Sequence, residues 1–176
     1  MTCIVALVEN GVGYIGGERG ASDSNTIFPL SRPKVWKEKD YLFGYFGSFA
    51  AERLKHNFDP PAPMEGEDLD SFMNTEFLDS LHSLYEDIHI PKQEDLGLVV
   101  ITQGHIFLHN GEDMSMSMID MPYFAEGSGM EFALGSMYST QGQDYVPEDR
   151  IRLALSAACM FSTSCVGPFD VISSKD

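Results

Sequence analysis

Basic residues are scarce in this chain: 11 Lys plus Arg stand against 27 Asp plus Glu, a formal charge of −16. So few cations cannot neutralise clustered phosphates, which excludes nucleic acid and an anionic membrane surface as expected partners. Cysteine is sparse too. Cys3, Cys159 and Cys165 are odd in number and form no CxxC pair, which fits free thiols in a reducing, cytoplasmic compartment. No apolar run approaches the ~20 residues of a membrane-spanning helix. The N-terminal run has no basic residues ahead of it and is broken by Glu9, so it reads as a strand and not as a signal peptide. The five histidines show no metal-ligand spacing.

What remains is ordinary for a globular chain, with 43% hydrophobic and 22% charged residues over 176 positions. That is enough for one domain, residues 1–176, with a sizeable core. Residues 3–8 are almost continuously apolar, as in a strand covered on both faces. Asn10-Gly11 is a strong hairpin signal. A two-residue loop at 10–11 places Thr2 opposite Arg19, and a three-residue loop at 9–11 places it opposite Glu18. Both registers return Glu18-Arg19 to the Thr2 end. Gly20 to Ser31 reads as an irregular loop, Ser22-Asp23-Ser24-Asn25, followed by a short crossing at 26–28.

Further strands are expected at 35–36, 41–46, 96–102, 105–109 and 114–118, the last with methionine on one face and serine on the other. Helices are expected at about 49–56, at 68–89 with Pro91 as its stop, from Gly127-Ser128-Gly129 to about 138, and from Pro147 onward. Residues 169–172 form a short final strand. Antiparallel hairpins separated by helical pairs predict an α+β fold, two stacked sheets with helices outside them.

Thr2 is the chemically loaded position. Once Met1 is removed it carries a hydroxyl nucleophile and a free α-amine, whose ordinary pKa near ~8 lets it take the hydroxyl proton at neutral pH. A carboxylate and an ammonium beside it would complete a hydrolase site. Each candidate has a plain structural reading as well. Thr2 is then the second residue of a strand, Lys34 one member of a basic surface stretch (Arg32, Lys34, Lys37, Lys39), and Glu18 a surface partner of Arg19. Ser128 becomes a helix cap and Gly47 a turn residue. Cys3, among apolar neighbours, reads as a buried inert thiol.

The layout and these residues together resemble the proteasome β-subunit family of N-terminal nucleophile hydrolases, which includes the bacterial HslV subunits, over nearly the whole chain. Thr2-Cys3-Ile4-Val5 is similar to that family's Thr-Thr-Ile-Val start. Counted without gaps from Thr2, Glu18 falls on its catalytic aspartate and Lys34 on its catalytic lysine. Gly127-Ser128-Gly129 resembles its Gly-Ser-Gly helix opening, with Ser128 on the catalytic serine. Gly44 to Ser48 resembles the segment lining its substrate cleft. The resemblance implies a four-layer αββα sandwich and threonine-dependent cleavage of peptide or amide bonds after loss of Met1. It further implies catalytic roles for Thr2, Glu18, Lys34 and Ser128, and oxyanion or cleft roles for Gly47 and Ser48.

The same resemblance implies no required cofactor. It places a structural monovalent cation on the backbone at Cys159, Ser162 and Cys165. A peptide or protein substrate and a homo-oligomeric ring follow from it, with the ATPase partner left undefined. Two departures stand out. Glu18 is one methylene longer than an aspartate, and no acid occupies the segment between Cys159 and Pro168. The pattern is similar to proteasome-like proteins of phages and some bacteria, which adds the virion to the host cytoplasm as an expected location. The rival reading is a catalytically silent assembly or interaction module of the same fold. A small-metabolite amidase is a third.

Overall fold

Asn10 and Gly11 take φ of 51° and 77°, the left-handed pair of a type I′ turn, and they fix the register of the first hairpin. The computed structural model describes residues 2–22, 25–91 and 95–176. In it β1 (Ile4–Glu9) and β2 (Val12–Glu18) pair antiparallel, with Glu9 opposite Val12 and Ile4 opposite Gly17. This is the two-residue loop of the two registers predicted. Cys3 consequently lies across from Glu18, whose N–H donates to the Cys3 carbonyl at 3.4 Å.

The chain continues through β3 (Gly20–Ser22), β4 (Ile27–Pro29), β5 (Val35–Glu38), β6 (Tyr41–Gly47) and the helix α1 (Ala51–Asn57). Helix α2 follows as one rod, Leu69–Phe72, then a π-helical turn Met73–Phe77, then Leu78–Asp87. Asp68 caps it by accepting from the Ser71 N–H at 2.8 Å. Next come β7 (Leu96–Thr102), β8 (His105–Asn110), β9 (Ser115–Ile119), β10 (Tyr123–Glu126), α3 (Met130–Ser139), α4 (Pro147–Phe161) and β11 (Phe169–Ser173). The expected helices and strands are present with shifts of one to a few residues at their ends, and two stretches differ. The supposed irregular segment after Gly20 closes on itself as β3 against β4, Ala21 opposite Phe28; Asp23 and Ser24 of that segment lie outside the described residues. Strand β10 was not predicted at all. It pairs with β1, Ile4 opposite Glu126, and delivers the chain to Ser128.

Two antiparallel sheets result, ordered β10-β1-β2-β11 and β5-β6-β7-β8-β9. Strand β1 explains its own apolar run. Ile4 and Ala6 point between the sheets, against Ile15, Leu42, Val99 and Ile101. Cys3, Val5 and Leu7 point the other way, into a core with Met137, Ile151 and Leu155 of α3 and α4. Helices α1 and α2 cover the outer face of the five-stranded sheet over Tyr45, Phe72, Phe77 and Phe107. The order of layers is helix, sheet, sheet, helix, the predicted αββα sandwich. Met116 is buried on the same outer face and Ser117 is exposed, in keeping with the alternation read from 114–118.

That outer core also holds His109, fully buried. Its Nδ1–H donates to the Ser115 carbonyl at 2.9 Å, and its Nε2 faces the Tyr85 hydroxyl at 3.1 Å. Burial pulls its pKa down from the ordinary 6.5 to about 4, so the folded state keeps it neutral where the unfolded chain takes up a proton. Stability from this residue is full above pH 6.5 and is lost as pH falls toward 4, about 3 kcal/mol in all. Urea titrations at pH 7 and pH 4.5 should show a smaller acid-induced loss for His109→Gln than for the parent chain.

Candidate functional site

Four separate segments converge at the start of β1. The alternation of Ile4 and Ala6 carries Thr2 onto the inter-sheet side, where it is 2% exposed. The hairpin returns Glu18 to that end. Lys34 precedes β5 and is held in register by its carbonyl, which accepts from the Tyr45 N–H at 3.1 Å. Ser128 sits between β10 and α3. Gly127 takes φ +98°, and a Cβ there would stand 2.2 Å from the Thr2 carbonyl oxygen, so this close approach requires glycine.

Lys34 and Glu18 are both fully buried. Neither is the surface residue of the plain reading. Lys34 Nζ donates to Glu18 Oε1 at 2.5 Å, to the Gly20 carbonyl at 2.5 Å and to Thr2 Oγ1 at 3.2 Å. Each of these three groups is an oxygen acceptor, and an ammonium has only donors to offer them. Glu18 is equally committed. Its Oε1 also accepts from the Cys3 N–H at 3.3 Å, and its Oε2 from the N–H groups of Gly20 and of Val166, the latter at 3.2 Å. A buried ion pair is tolerated only with its remaining donors and acceptors satisfied, and here they are. Gly20 and Val166 close off the carboxylate on its Oε2 side. Arg19 leaves Glu18 altogether and forms a two-point pair with Asp170, Nε to Oδ2 at 2.7 Å and Nη2 to Oδ1 at 2.6 Å.

On the other side of Thr2, its backbone nitrogen donates to Ser128 Oγ at 3.2 Å, and Ser128 Oγ lies 3.3 Å from the Thr2 carbonyl oxygen. Met1, to which that nitrogen is bonded, lies outside the described residues. Thr2, Glu18, Lys34 and Ser128 therefore form one connected set, hydroxyl against ammonium and backbone nitrogen against hydroxyl. Gly47 ends β6 with φ +77°, two residues past the Lys34–Tyr45 pairing and thus roughly 7 Å along the strand. Ser48 spends its hydroxyl locally, accepting from the Ala50 N–H at 3.2 Å, and its own N–H donates to the Asp95 carbonyl.

Behind Ser128 lies a buried thiol group. Cys3 is fully buried and its pKa is raised by that burial, in line with an inert thiol. Cys159 and Cys165 contact each other, and Cys165 is the one that ionises more readily. Its pKa is lowered by hydrogen bonds from the Cys159 thiol first, then from the Ser162 and Ser128 hydroxyls, against the opposing effect of burial. Ser162 Oγ also accepts from the Ser164 N–H at 3.2 Å. Among the described residues, no cluster of three or more His, Cys, Asp or Glu is arranged to hold a metal ion. Sequence reasoning missed the Gly20 carbonyl and the Val166 N–H, because each is brought in by a loop with no periodic signal, and it named Cys165 only for a backbone cation. A cavity of about 300 Å³ lined by Lys37, Tyr41 and Thr102 opens at the Gly11 end of the hairpin, away from this set.

The chain is similar to several solved structures over nearly its whole length. BPH of Thiobacillus denitrificans, in complex with epoxomicin, superposes at a TM-score of 0.77 with 16% identity, covering 98% of this chain and 97% of that one. Eukaryotic HslV of Trypanosoma brucei gives 0.72 with 18% identity, covering 98% of each. The fold is the proteasome-like N-terminal nucleophile hydrolase fold. Anbu of Yersinia bercovieri shares this HslV-like fold at a TM-score of 0.66 and 13% identity, covering 98% of this chain and 81% of that one. No family model matches this chain, and no curated protein does. Among the described residues of the HslV-like fold, no helix is long and apolar enough to cross a membrane.

Proposed function

We propose that this chain is a threonine-type N-terminal nucleophile hydrolase that cleaves peptide or amide bonds once Met1 is removed. The observation that carries the reading is the buried Lys34 ammonium bonded at once to Glu18 and to Thr2 Oγ1. With that ammonium donating to Oγ1, the hydroxyl proton is directed elsewhere, and a freed α-amine on the same residue is the nearest acceptor. The amine removes the proton as Oγ1 attacks the substrate carbonyl, then returns it to the departing amine, leaving an ester on Thr2. Water, deprotonated by the same amine, hydrolyses the ester. Lys34 stabilises charge on Oγ1, Glu18 holds Lys34, Ser128 orients the amine, and the Gly47 N–H is assigned the oxyanion. All of these steps use the chain's own groups. That BPH of the same fold is in complex with epoxomicin supplies a probe.

Assembly is the second reading, and one feature favours it. Phe132, Met160 and Phe161 are exposed together on α3 and α4, with the two phenyl rings 5.5 Å apart. Such a patch suits a homo-oligomeric ring or stack, with or without catalysis. Intact mass separates the two readings. The hydrolase reading predicts a chain lacking one methionine that turns over fluorogenic peptides and binds epoxomicin, while a chain forced to retain Met1 does neither. A native protein that keeps Met1 throughout is the result expected of a silent module.

A further inference from the structure

The end of the first hairpin away from Thr2 borders the cavity of about 300 Å³. Two tight turns meet there. Gln103 and Gly104, with φ of 47° and 75°, join β7 to β8 as Asn10 and Gly11 join β1 to β2. A Cβ on Gly104 would stand 3.8 Å from Gly11 Cα. At Gly13 a Cβ would stand 2.6 Å from Ile101 Cγ2, so glycine lets the two sheets close against each other at the inner wall. The outer wall is pinned by hydrogen bonds to the connector 59–63. The Tyr41 hydroxyl donates to the Pro61 carbonyl at 2.7 Å and Lys39 Nζ to the Pro60 carbonyl at 2.8 Å. Prolines at 60, 61 and 63 stiffen that connector. Walls formed in advance lower the ordering cost of binding. The volume lies at the low end of ligand sites, which run from roughly 300 to 1,000 Å³, so the occupant is one small molecule.

Three polar side chains on its lining keep bonding capacity in hand. Lys37 Nζ donates to the main-chain oxygens of Ser174 at 2.9 Å and Asp176 at 2.6 Å, and the third N–H of the ammonium has no partner among the described residues. Asp40 stands across the same two-residue turn, where Glu38 pairs with Tyr41. Its exposed carboxylate makes no hydrogen bond or ion pair among the described residues, with Lys37 or any other. Thr102 is 3% exposed and lines the cavity, yet its hydroxyl bonds to no other described residue. Leu42, Ile101 and Pro63 supply apolar wall. A simple anion would meet Asp40 and a chain of net charge −16, and a simple cation would meet Lys37. An occupant that carries both charges and an apolar body satisfies every group. We propose that this cavity binds a free apolar α-amino acid, with its carboxylate on Lys37 and Thr102, its ammonium on Asp40 and its side chain against Leu42, Ile101 and Pro63. The site is independent of the hydrolase reading.

The test titrates ¹⁵N-labelled full-length protein with four probes and follows the amide resonances. Leucine carries all three features, 4-methylpentanoate lacks the ammonium, 3-methylbutylamine lacks the carboxylate, and glycine lacks the side chain. Leucine should shift the amides of Gly11, Thr102 and Gly104 and bind about tenfold or more tighter than each of the others, since each loses a charged hydrogen bond or apolar contact. Lys37→Met and Thr102→Val should each weaken leucine about tenfold. Asp40→Asn should weaken leucine similarly and leave 4-methylpentanoate no weaker, because it removes a repulsion for that probe. Asp40 is exposed, so this variant keeps the test decisive if Lys37→Met loosens the chain end. Thr2→Ala should bind leucine as the parent does, which separates this site from the proposed hydrolase. Leucine that fails to bind at about 10 mM, binds no tighter than 4-methylpentanoate, ignores Asp40→Asn, or shifts Thr2 and Ser128 instead would overturn the proposal.

Discussion

Lys34→Met is expected to abolish turnover and, in the same protein, to remove roughly 3 kcal/mol or more of stability. Both losses come from one atom. Nζ is the fixed positive charge beside Thr2 Oγ1, and it is also the counter-ion of a carboxylate that is 0% exposed. Without it Glu18 is a buried charge held by backbone N–H groups alone, or must take up a proton to fold. The second change Glu18→Gln separates the two roles. In Lys34→Met with Glu18→Gln no charge is stranded, so urea unfolding should recover much of the lost stability while peptide turnover stays absent. A Lys34→Met protein as stable and as active as the parent would show that the ammonium is a bystander.

Thr2→Ala should lower turnover by about 10⁴-fold or more, the scale seen when an attacking hydroxyl is deleted from a preorganised site. Loss of Met1 from this variant still exposes an α-amine, so it isolates the hydroxyl. Its stability should fall by only about 1 kcal/mol, the net worth of one buried hydrogen bond to Lys34. Thr2→Ser keeps both the hydroxyl and the amine and should retain measurable turnover. Parallel assays on a broad set of fluorogenic peptides check the ranking, parent above serine and serine far above alanine. Equal rates for parent and alanine variant would remove Thr2 from the chemistry.

The architecture was legible because its signals are local. Asn10-Gly11 specifies a hairpin by itself, and the alternation of Ile4 and Ala6 with Val5 and Leu7 specifies a strand buried on both faces. The two hairpin registers could not be separated from sequence, since either loop length satisfies the apolar pattern; the left-handed φ of both Asn10 and Gly11 decided it. Strand β10 was missed because four residues after Pro122 carry too little alternation to register, and only pairing with β1 makes them a strand. Burial of Lys34 was illegible for a related reason. Arg32, Lys37 and Lys39 flank it, and a surface stretch and a single inward-turned lysine have the same composition. Its burial depends on Glu18 and Gly20, 16 and 14 residues away. Cys165 lies 37 positions beyond Ser128 on a loop without period, so nothing local marks it as a neighbour.

The most direct measurement is peptide mapping by mass spectrometry of protein quenched during turnover of an ester or peptide substrate. The account predicts an N-terminal peptide that begins at Thr2 and carries the substrate's acyl group on that residue. A peptide that still begins at Met1, or an acyl group found on Cys3 or elsewhere while hydrolysis proceeds, would contradict it.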